Sequence, residues 1–548
     1  MRTAALLFLV LALVGCAPAQ TSPSSPNTVA ARPVLLPKPT LAAAIRQAVR
    51  LGPAGATTTV ALSFGLKVRN ADRLAALLAS GRTLTPEAYV AEFGPDPAAA
   101  QAAVALLQHT GFLASWRAGS NLIAADGPAP LAAAFLSVDI ESFRLPDGTT
   151  FYAALDQPQI PAQLAGAASS VTGLDNYRRA RTLAVRRGGL TPADVLAFYN
   201  LQPLRQAGLD GAGQTIVLPE IDDLPNLNDL NKFATEFSLP PFDTILTVKR
   251  DPNWGIPEKP QGETVLDLEI IHEVAPAAKI VIYLSAADFG HGDRAFDQLV
   301  TDHLGSIISE SLGACEPDTS SGHRSEYSAI QDRAAALGMS HFVASGDSGA
   351  FTCGQDQPPA GSFPSTLPSV TAVGGTTLFE SAQGIYYKET AWGAPLDGSG
   401  SGGGPSQFYP VPDYQKSVSQ TAGHGLRQVP DVAANADPDT GFHIVFGGRD
   451  GQAGGTSAAT PLWAATVALI NQDLKKRGMR LVGFANPALY WMGANSATLP
   501  AKPFHDVTTG NNLAFDAGTG WDFATGWGSM DGAALDAAWI LYIKGGGA

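Results

Sequence analysis

The sequence predicts an α/β protein, a parallel sheet flanked by helices, preceded by a smaller α+β unit. Three observations carry this reading. From Gln214 to Ser345 apolar strand-like runs alternate with helical patterns, the order that builds a parallel sheet covered by helices. Upstream, residues 57–144 run strand, helix, strands, helix, strand, the plan of an α+β sandwich. A polar stretch rich in Arg and Gly separates the two, and 548 residues are too many for one ordinary domain. The segments that follow are a signal at 1–16, a tether at 17–33, a first folded unit at 34–157, a linker at 158–189 and a second folded unit at 190–545.

Met1-Arg2-Thr3, the apolar run Ala4 to Val14 and then Gly15-Cys16 have the charged start and short hydrophobic middle of a secretory signal rather than a spanning helix. Leu13-Val14-Gly15-Cys16 also resembles the lipobox of bacterial lipoproteins, which would make Cys16 a lipid anchor. The alternative is ordinary cleavage near Ala17-Pro18-Ala19. Residues 17–33, rich in Ser, Pro, Thr and Ala, read as a flexible tether. In the first unit a strand is expected at 57–68, a helix from Asn70 to Ser80 capped by Asn70, and a helix at 96–109. Strands near 111–124, a short helix at 128–136 and an extended stretch at 137–144 complete it. The linker contains Pro158 to Ser170 and the basic run Arg178, Arg179, Arg181, Arg186 and Arg187, a region open to proteolysis. In the second unit the expected strands are Gln214 to Leu218, Lys279 to Ser285, Ser306 to Ser311 and Ser340 to Ser345. The expected helices are Glu263 to Val274, 293–304 and 325–337.

Charged residues make up only 15% of the chain and the formal net charge is −14, which argues against nucleic acid as a partner. Sparse charge also suits a protein exposed to acid, because few carboxylates must change state as pH falls. Besides Cys16 there are two cysteines, Cys315 and Cys353, read as one disulfide or as two unpaired buried thiols.

Three motifs carry chemistry. Gly454-Gly455-Thr456-Ser457 runs into the apolar helix Leu462 to Ile470, so Ser457 lies near a helix N-terminus, where free amides favour a developing negative charge. Glu263 and Asp267 are four apart and share one helical face; in a buried site such a pair shares a proton and makes an acid and a base. Glu269 and Glu273 on the same helix read as its solvated face. Asp347, in Ser345-Gly346-Asp347-Ser348-Gly349, follows an apolar strand whose end delivers it to a cleft.

Together these motifs resemble the sedolisin family of serine-carboxyl peptidases. The match extends through Phe363-Pro364-Ser365, Val370 to Thr376 and Pro430-Asp431-Val432-Ala433, while Leu84-Thr85-Pro86-Glu87 and Phe93-Gly94-Pro95 resemble the family's activation prodomain. The resemblance implies a subtilisin-like catalytic domain behind a ferredoxin-like prodomain, acting on polypeptides, with the prodomain as intramolecular inhibitor until acidification weakens their contacts. It implies that Ser457 attacks the scissile carbonyl, Glu263 is the general base and Asp267 holds Glu263. Protonated Asp347 would donate to the oxyanion. It further implies one Ca2+ held by the Asp506 and Asp522 carboxylates and the backbone oxygens of Val507, Gly518 and Gly520, an all-oxygen set suited to calcium. Glu220 matches an extra acidic residue that some members bond to the catalytic glutamate. Leu312 departs from the kumamolisin type, which carries a tryptophan there, and Cys315 with Cys353 looks like the sedolisin branch, where such cysteines pair. A monomer, exported to the cell envelope or beyond, is expected, and endopeptidase and tripeptidyl-peptidase action both remain open. The rival reading is a subtilase triad of Asp222 or Asp223, His291 and Ser457.

Overall fold

A computed structural model describes residues 34–35, 48–145, 148, 150–176, 185–186, 189–380, 386–394, 396 and 398–546. The signal, the lipobox with Cys16, the tether and Arg178, Arg179, Arg181 and Arg187 lie outside the described residues. Among the described residues no helix is long and apolar enough to cross a membrane.

The N-terminal unit is an antiparallel sheet in the order β2-β3-β1-β4, built from β1 (Thr59–Leu66), β2 (Leu113–Ser115), β3 (Leu122–Pro128) and β4 (Ala168–Thr172). This is the ferredoxin-like arrangement. Val60, Leu62, Phe64 and Leu66 alternate along β1 and pack with Ala100, Ala103 and Leu107 of α3 (Pro97–Thr110) and with Ala132 and Leu136 of α4 (Ala129–Leu136). The alternate residues Ala61, Ser63 and Gly65 are small and face the C-terminal unit; a Cβ on Gly65 would lie 2.8 Å from Glu326 Cγ. α1 (Ala71–Ala79) follows Asn70, which sits in the left-handed region at φ 51 and does not cap it; Nδ2 donates instead to the Glu92 carbonyl at 2.8 Å. α2 (Pro86–Glu92), which apolar periodicity did not announce, starts from Thr85, whose hydroxyl accepts from Ala88 N. β4 lies within the expected linker. Pro, Ala and Gln around it mask the strand, yet it pairs with β1, and Tyr152 N donates to Asn176 Oδ1 at 2.8 Å, so ordered packing continues to Asn176.

The C-terminal unit is built on an eight-stranded sheet. It comprises β5 (Thr215–Glu220), β6 (Leu246–Arg250), β7 (Lys279–Leu284), β8 (Ile307–Glu310), β9 (Ser340–Ala344), β10 (Thr371–Glu380), β11 (Tyr386–Ala391) and β12 (Val432–Asn435). The order is β6-β7-β5-β8-β9-β10-β11, with β12 also on β10; every pairing is parallel except β10 with β11. α5 (Asn228–Glu236), α6 (Glu263–Val274), α7 (Phe289–Asp302), α8 (Ser321–Ala336) and α9 (Thr456–Lys476) cover it, and a hairpin of β13 (Phe442–Phe446) and β14 (Arg449–Ala453) precedes α9. α7 and α8 begin about four residues before the expected points, because Asp288 and Ser320 accept from the amides of His291 and His323 and extend the first turn through glycines.

α6 packs against α9, α5 and β13, so it has no solvent side and all twelve of its residues are buried. Glu269 and Glu273 are therefore not a solvated face. Glu269 Oε2 accepts from Val445 N at 2.8 Å, whereas neither carboxyl oxygen of Glu273 has a hydrogen-bond partner among the described residues. Burial holds both carboxyls well above the usual range.

The two units meet through buried polar groups on α7 and α8. Arg294 donates to Leu62 O at 2.8 Å and to Asp126 Oδ1 at 2.6 Å. Asp297 accepts from Ser120 Oγ and Asn121 N, and Arg333 donates to Gly119 O and Asp297. Glu326 accepts from Gly65 N, Ser170 Oγ and Thr172 Oγ1, and burial raises its carboxyl well above the usual range.

Carboxyls that keep their protons to higher pH when folded than when unfolded stabilise the fold fully below about pH 4.3. That contribution drains away as pH rises through the folded values. Glu269, Glu273 and Glu326 are of this kind. In a full-length Ser457→Ala protein the thermal midpoint is expected to fall by several degrees between about pH 4.5 and 7.5, and Glu273→Gln should flatten that slope. A midpoint that holds or rises over this interval in calorimetry would remove these groups from control of stability.

Candidate active site

Glu220, Glu310 and Asp347 all stand at or just past the carboxyl ends of parallel strands, where an open α/β sheet forms its cleft. β5 lies between β7 and β8, so the chain leaves it toward opposite edges of the sheet and opens a crevice above it. Asp222, two residues past β5, fixes the start of α6. Its Oδ1 accepts from Gln261 N at 2.6 Å and its Oδ2 from Gly262 N and Glu263 N at 2.9 and 2.8 Å. Glu263 is thereby set at the first position of the helix, directly over the strand end.

Glu220, Glu263 and Asp267 are all buried. Burial first, and then the neighbouring Glu263 charge, raises Glu220 well above the usual carboxyl range. Burial, then the charges of Glu220 and Glu263, does the same to Asp267. The structure thus brings Glu263 and Asp267 together as one turn of helix requires, and adds Glu220 as a third carboxyl whose charge acts with theirs. Thr264 Oγ1 donates to Glu220 Oε2 at 3.1 Å and to the Asp222 carbonyl at 2.6 Å.

Ser457 is the second residue of α9 and is buried. Gly454 and Gly455 before it serve different needs. A Cβ on Gly454 would lie 2.5 Å from the Ala436 carbonyl, and Gly455 takes φ 110. Ser457 Oγ lies 3.5 Å from the Ser311 carbonyl, and Ser311 Oγ lies 2.9 and 2.8 Å from the two Asp267 oxygens and 3.2 Å from the Ser457 carbonyl. That carbonyl is open to Ser311 because Pro461, four residues on, has no N–H to donate. Ser311 was not singled out in the sequence, although Pro461 four residues after a candidate nucleophile is a readable signal for a freed carbonyl.

Asp347 approaches the start of α9 from β9. Its Oδ1 accepts from Thr456 N at 2.6 Å and from Thr456 Oγ1 at 2.9 Å, and Gly346 N donates to Thr456 Oγ1 at 3.0 Å. Burial pushes the Asp347 carboxyl up to about 6, against the lowering effect of the Thr456 bonds. Oδ1 is occupied by two donors, so Oδ2 is the oxygen free to carry a proton. Cys315 and Cys353 form a disulfide, Cα atoms 4.8 Å apart, which closes the loop around Asp347 and settles the choice between pairing and free thiols. Leu312 lines a small cleft of about 50 Å3 with Ile221, Phe289, Phe296, Phe363, Glu310 and Tyr327.

The rival triad is not assembled. Asp222 is the tether of α6, Asp223 pairs with Arg250 at 2.5 Å, and His291 Nδ1 lies 2.8 Å from Asp288 on its own helical turn. Near the C-terminus, Gly520 N donates to both Asp506 oxygens at 3.1 Å and Gly518 N to Asp522 Oδ2 at 2.8 Å, so both carboxylates gather on one glycine loop. Burial raises Asp506 and pushes Asp522 up to about 6. Ala524 N and Thr525 N also donate to Asp522 Oδ1, at 2.9 and 2.8 Å; the two carboxylates are the hard oxygen ligands that calcium takes, and here backbone amides occupy them.

Residues 46–177 match the Pro-kumamolisin activation domain and residues 256–528 the subtilase family. The chain is 35% identical to kumamolisin of Bacillus sp. (strain MN-32), over 75% of this chain and 77% of that one. It is 32% identical to sedolisin of Pseudomonas sp. (strain 101), over 85% and 82%. The solved structure of Pseudomonas sedolisin, a serine-carboxyl proteinase complexed with two molecules of pseudo-iodotyrostatin, superposes with a TM-score of 0.58 at 31% identity. It covers 66% of this chain and all of that one. The fold, the activation domain and this degree of identity to kumamolisin and sedolisin make the chain a member of the sedolisin family of serine-carboxyl peptidases.

Proposed function

We propose that the chain is an exported, acid-active endopeptidase made as a self-processing zymogen. The observation that supports this reading is that Ser311 links Asp267, the helix neighbour of Glu263, to Ser457 while Asp347 bonds the adjacent Thr456, with no imidazole among the contacts described there. Ser457 Oγ attacks the peptide carbonyl; Glu263 takes its proton and returns it to the leaving amine; Asp267 holds Glu263. Asp347, protonated on Oδ2, donates to the tetrahedral oxyanion together with Ser457 N–H. Export, with Cys16 as the lipid-attachment point, rests on the N-terminal sequence.

The zymogen reading is supported by the linker. Val185 and Arg186 pair antiparallel with Ala453 and Gln452, on the strand that leads into Ser457. Val185 is the nearer of the two to the nucleophile's end of that strand, so within the interval of about 170–190 expected from the sequence we place the cut between Asn176 and Val185. Asp506, Val507, Gly518, Gly520 and Asp522 would hold one Ca2+, which supplies a cross-link between two parts of the C-terminal segment.

Three outcomes test the reading. Ser457→Ala precursor should stay full-length at acidic pH, and N-terminal sequencing of the mature wild type should begin at or before Val185; maturation of the purified variant would exclude self-processing. On a peptide substrate kcat/KM should decline as pH rises through about 6, where Asp347 loses its proton. Asp347→Ala should cost about 10²–10³ in kcat. A rate that climbs toward alkaline pH would end the carboxyl mechanism. A calcium chelator should lower the thermal midpoint, since an ion bound at 100 times its dissociation constant stabilises by about 2.7 kcal/mol, and Asp522→Ala should abolish the difference. Identical melting curves with and without chelator would remove the calcium assignment.

A further inference from the structure

We propose that Glu236, His443 and Asp450 form a site for a divalent transition metal of the zinc class, which clamps α5 to the β13–β14 hairpin. The site does not rest on the peptidase reading.

In the hairpin His443 stands opposite Gln452 and Val445 opposite Asp450, so His443 and Asp450 project from the same face. α5 lies along that face and is fixed there: the Asp229 carboxylate accepts from Gly447 N and Gly448 N at 2.8 Å each, holding the turn of the hairpin. Glu236, two turns further along the helix, reaches the level of His443. The imidazole packs edge-on against Phe237, ring centroids 5.1 Å apart, and its side chain is 13% exposed. Its Nε2 is shielded from solvent and has no hydrogen-bond partner among the described residues. Glu236 Oε1 lies 3.7 Å and Asp450 Oδ1 3.9 Å from that nitrogen, beyond hydrogen-bond reach, and one ligand atom from each residue falls within 4.8 Å of the others.

These spacings are close to those of a coordination shell. Zinc with bonds of about 2.1 Å in tetrahedral geometry holds its ligands about 3.4 Å apart. Glu236 and Asp450 are both exposed side chains, free to close the remaining few tenths of an ångström on the nitrogen. Lys232 donates to Asp450 Oδ1 at 2.6 Å, but it has a second acceptor in the Gly448 carbonyl at 3.4 Å, so Asp450 can turn to an ion. One imidazole with two carboxylates suits zinc, cobalt or nickel better than the all-oxygen preference of calcium and magnesium. A buried imidazole nitrogen without a partner, aimed between two carboxylates, is the group such an ion would satisfy.

The position gives the site a consequence. His443 N donates to the Leu190 carbonyl at 2.9 Å, and β14 reaches Ser457 after Gly454, Gly455 and Thr456. An ion here would therefore tie α5 to the hairpin that carries the nucleophile forward.

The test uses the full-length Ser457→Ala protein at neutral pH, because protons compete with metal for imidazole and carboxylates. Zn2+ is titrated calorimetrically, and Co2+ serves as a spectroscopic probe of the ligand field. One ion per chain is expected, with tetrahedral Co2+ absorption and a raised thermal midpoint. Glu236→Gln and His443→Asn should each weaken binding by more than about tenfold while the proteins remain folded. Asp413→Asn, an exposed acid on another loop, should leave it unchanged. Absence of saturable binding, binding undiminished in His443→Asn, or binding lost only in Asp506→Asn would each overturn the proposal.

Discussion

The crowding of Glu220, Glu263 and Asp267 beneath the start of α9 is the constraint on which the rest of the structure depends. Two unit charges about 4 Å apart at an effective dielectric near 20 repel by about 4 kcal/mol, so three buried carboxyls in contact cannot all ionise. The group must therefore hold protons, and the surrounding elements are arranged to keep it together under that condition. Asp222 ties the first turn of α6 to the end of β5, which fixes Glu263 and, one turn later, Asp267. Ser311, just beyond β8, bridges Asp267 to α9. Loss of any one of these tethers would let a carboxyl reach water, ionise and leave the group.

The same logic of buried polar groups governs the contact between the two units. α7 and α8 cover the sheet with one face and present Arg294, Asp297, Glu326 and Arg333 to the prodomain with the other. β1 meets them with Ala61, Ser63 and Gly65, residues small enough for its backbone carbonyl and amide to take part. Such an interface is specific, because each charged group is left without a partner if the docking register shifts, and it is reversible, because every one of these groups hydrates well once exposed. An apolar interface of the same size would lack that second property.

Much of the site was legible because its residues sit in local motifs. The spacing of Glu263 and Asp267 dictates a shared face, and a glycine pair before Ser457 marks a strained approach to a helix start. Glu269 and Glu273 were misread because helical periodicity assumes a solvent side, and α6 is enclosed by α9, α5 and β13. Asp222 could not be assigned its role from sequence, since four amides from another segment reach it only after β5 and α6 have packed. β4 was hidden for a different reason: five residues, Ala168 to Thr172, carry too little alternation to stand out from a Pro- and Ala-rich stretch, and only pairing with β1 makes them a strand.

Ser311 shows how α9 and the acid group are coupled. Its hydroxyl has one hydrogen, yet it lies within bonding distance of both Asp267 oxygens and of the Ser457 carbonyl. If Asp267 were ionised, that hydrogen would be drawn to the carboxylate and the Ser457 carbonyl, already deprived of a helical donor by Pro461, would be left without one. The Ser311 bond lowers the Asp267 carboxyl while burial and the neighbouring charges raise it, and only when Asp267 is protonated does it cease to compete as a carboxylate for the serine hydrogen and leave it to the Ser457 carbonyl. Burial and the neighbouring charges hold Asp267 in that protonated form. The first turn of α9 is thus best satisfied in the same protonation state that the carboxyl group itself requires, so the condition that keeps the acids together also keeps the Ser457 backbone in place.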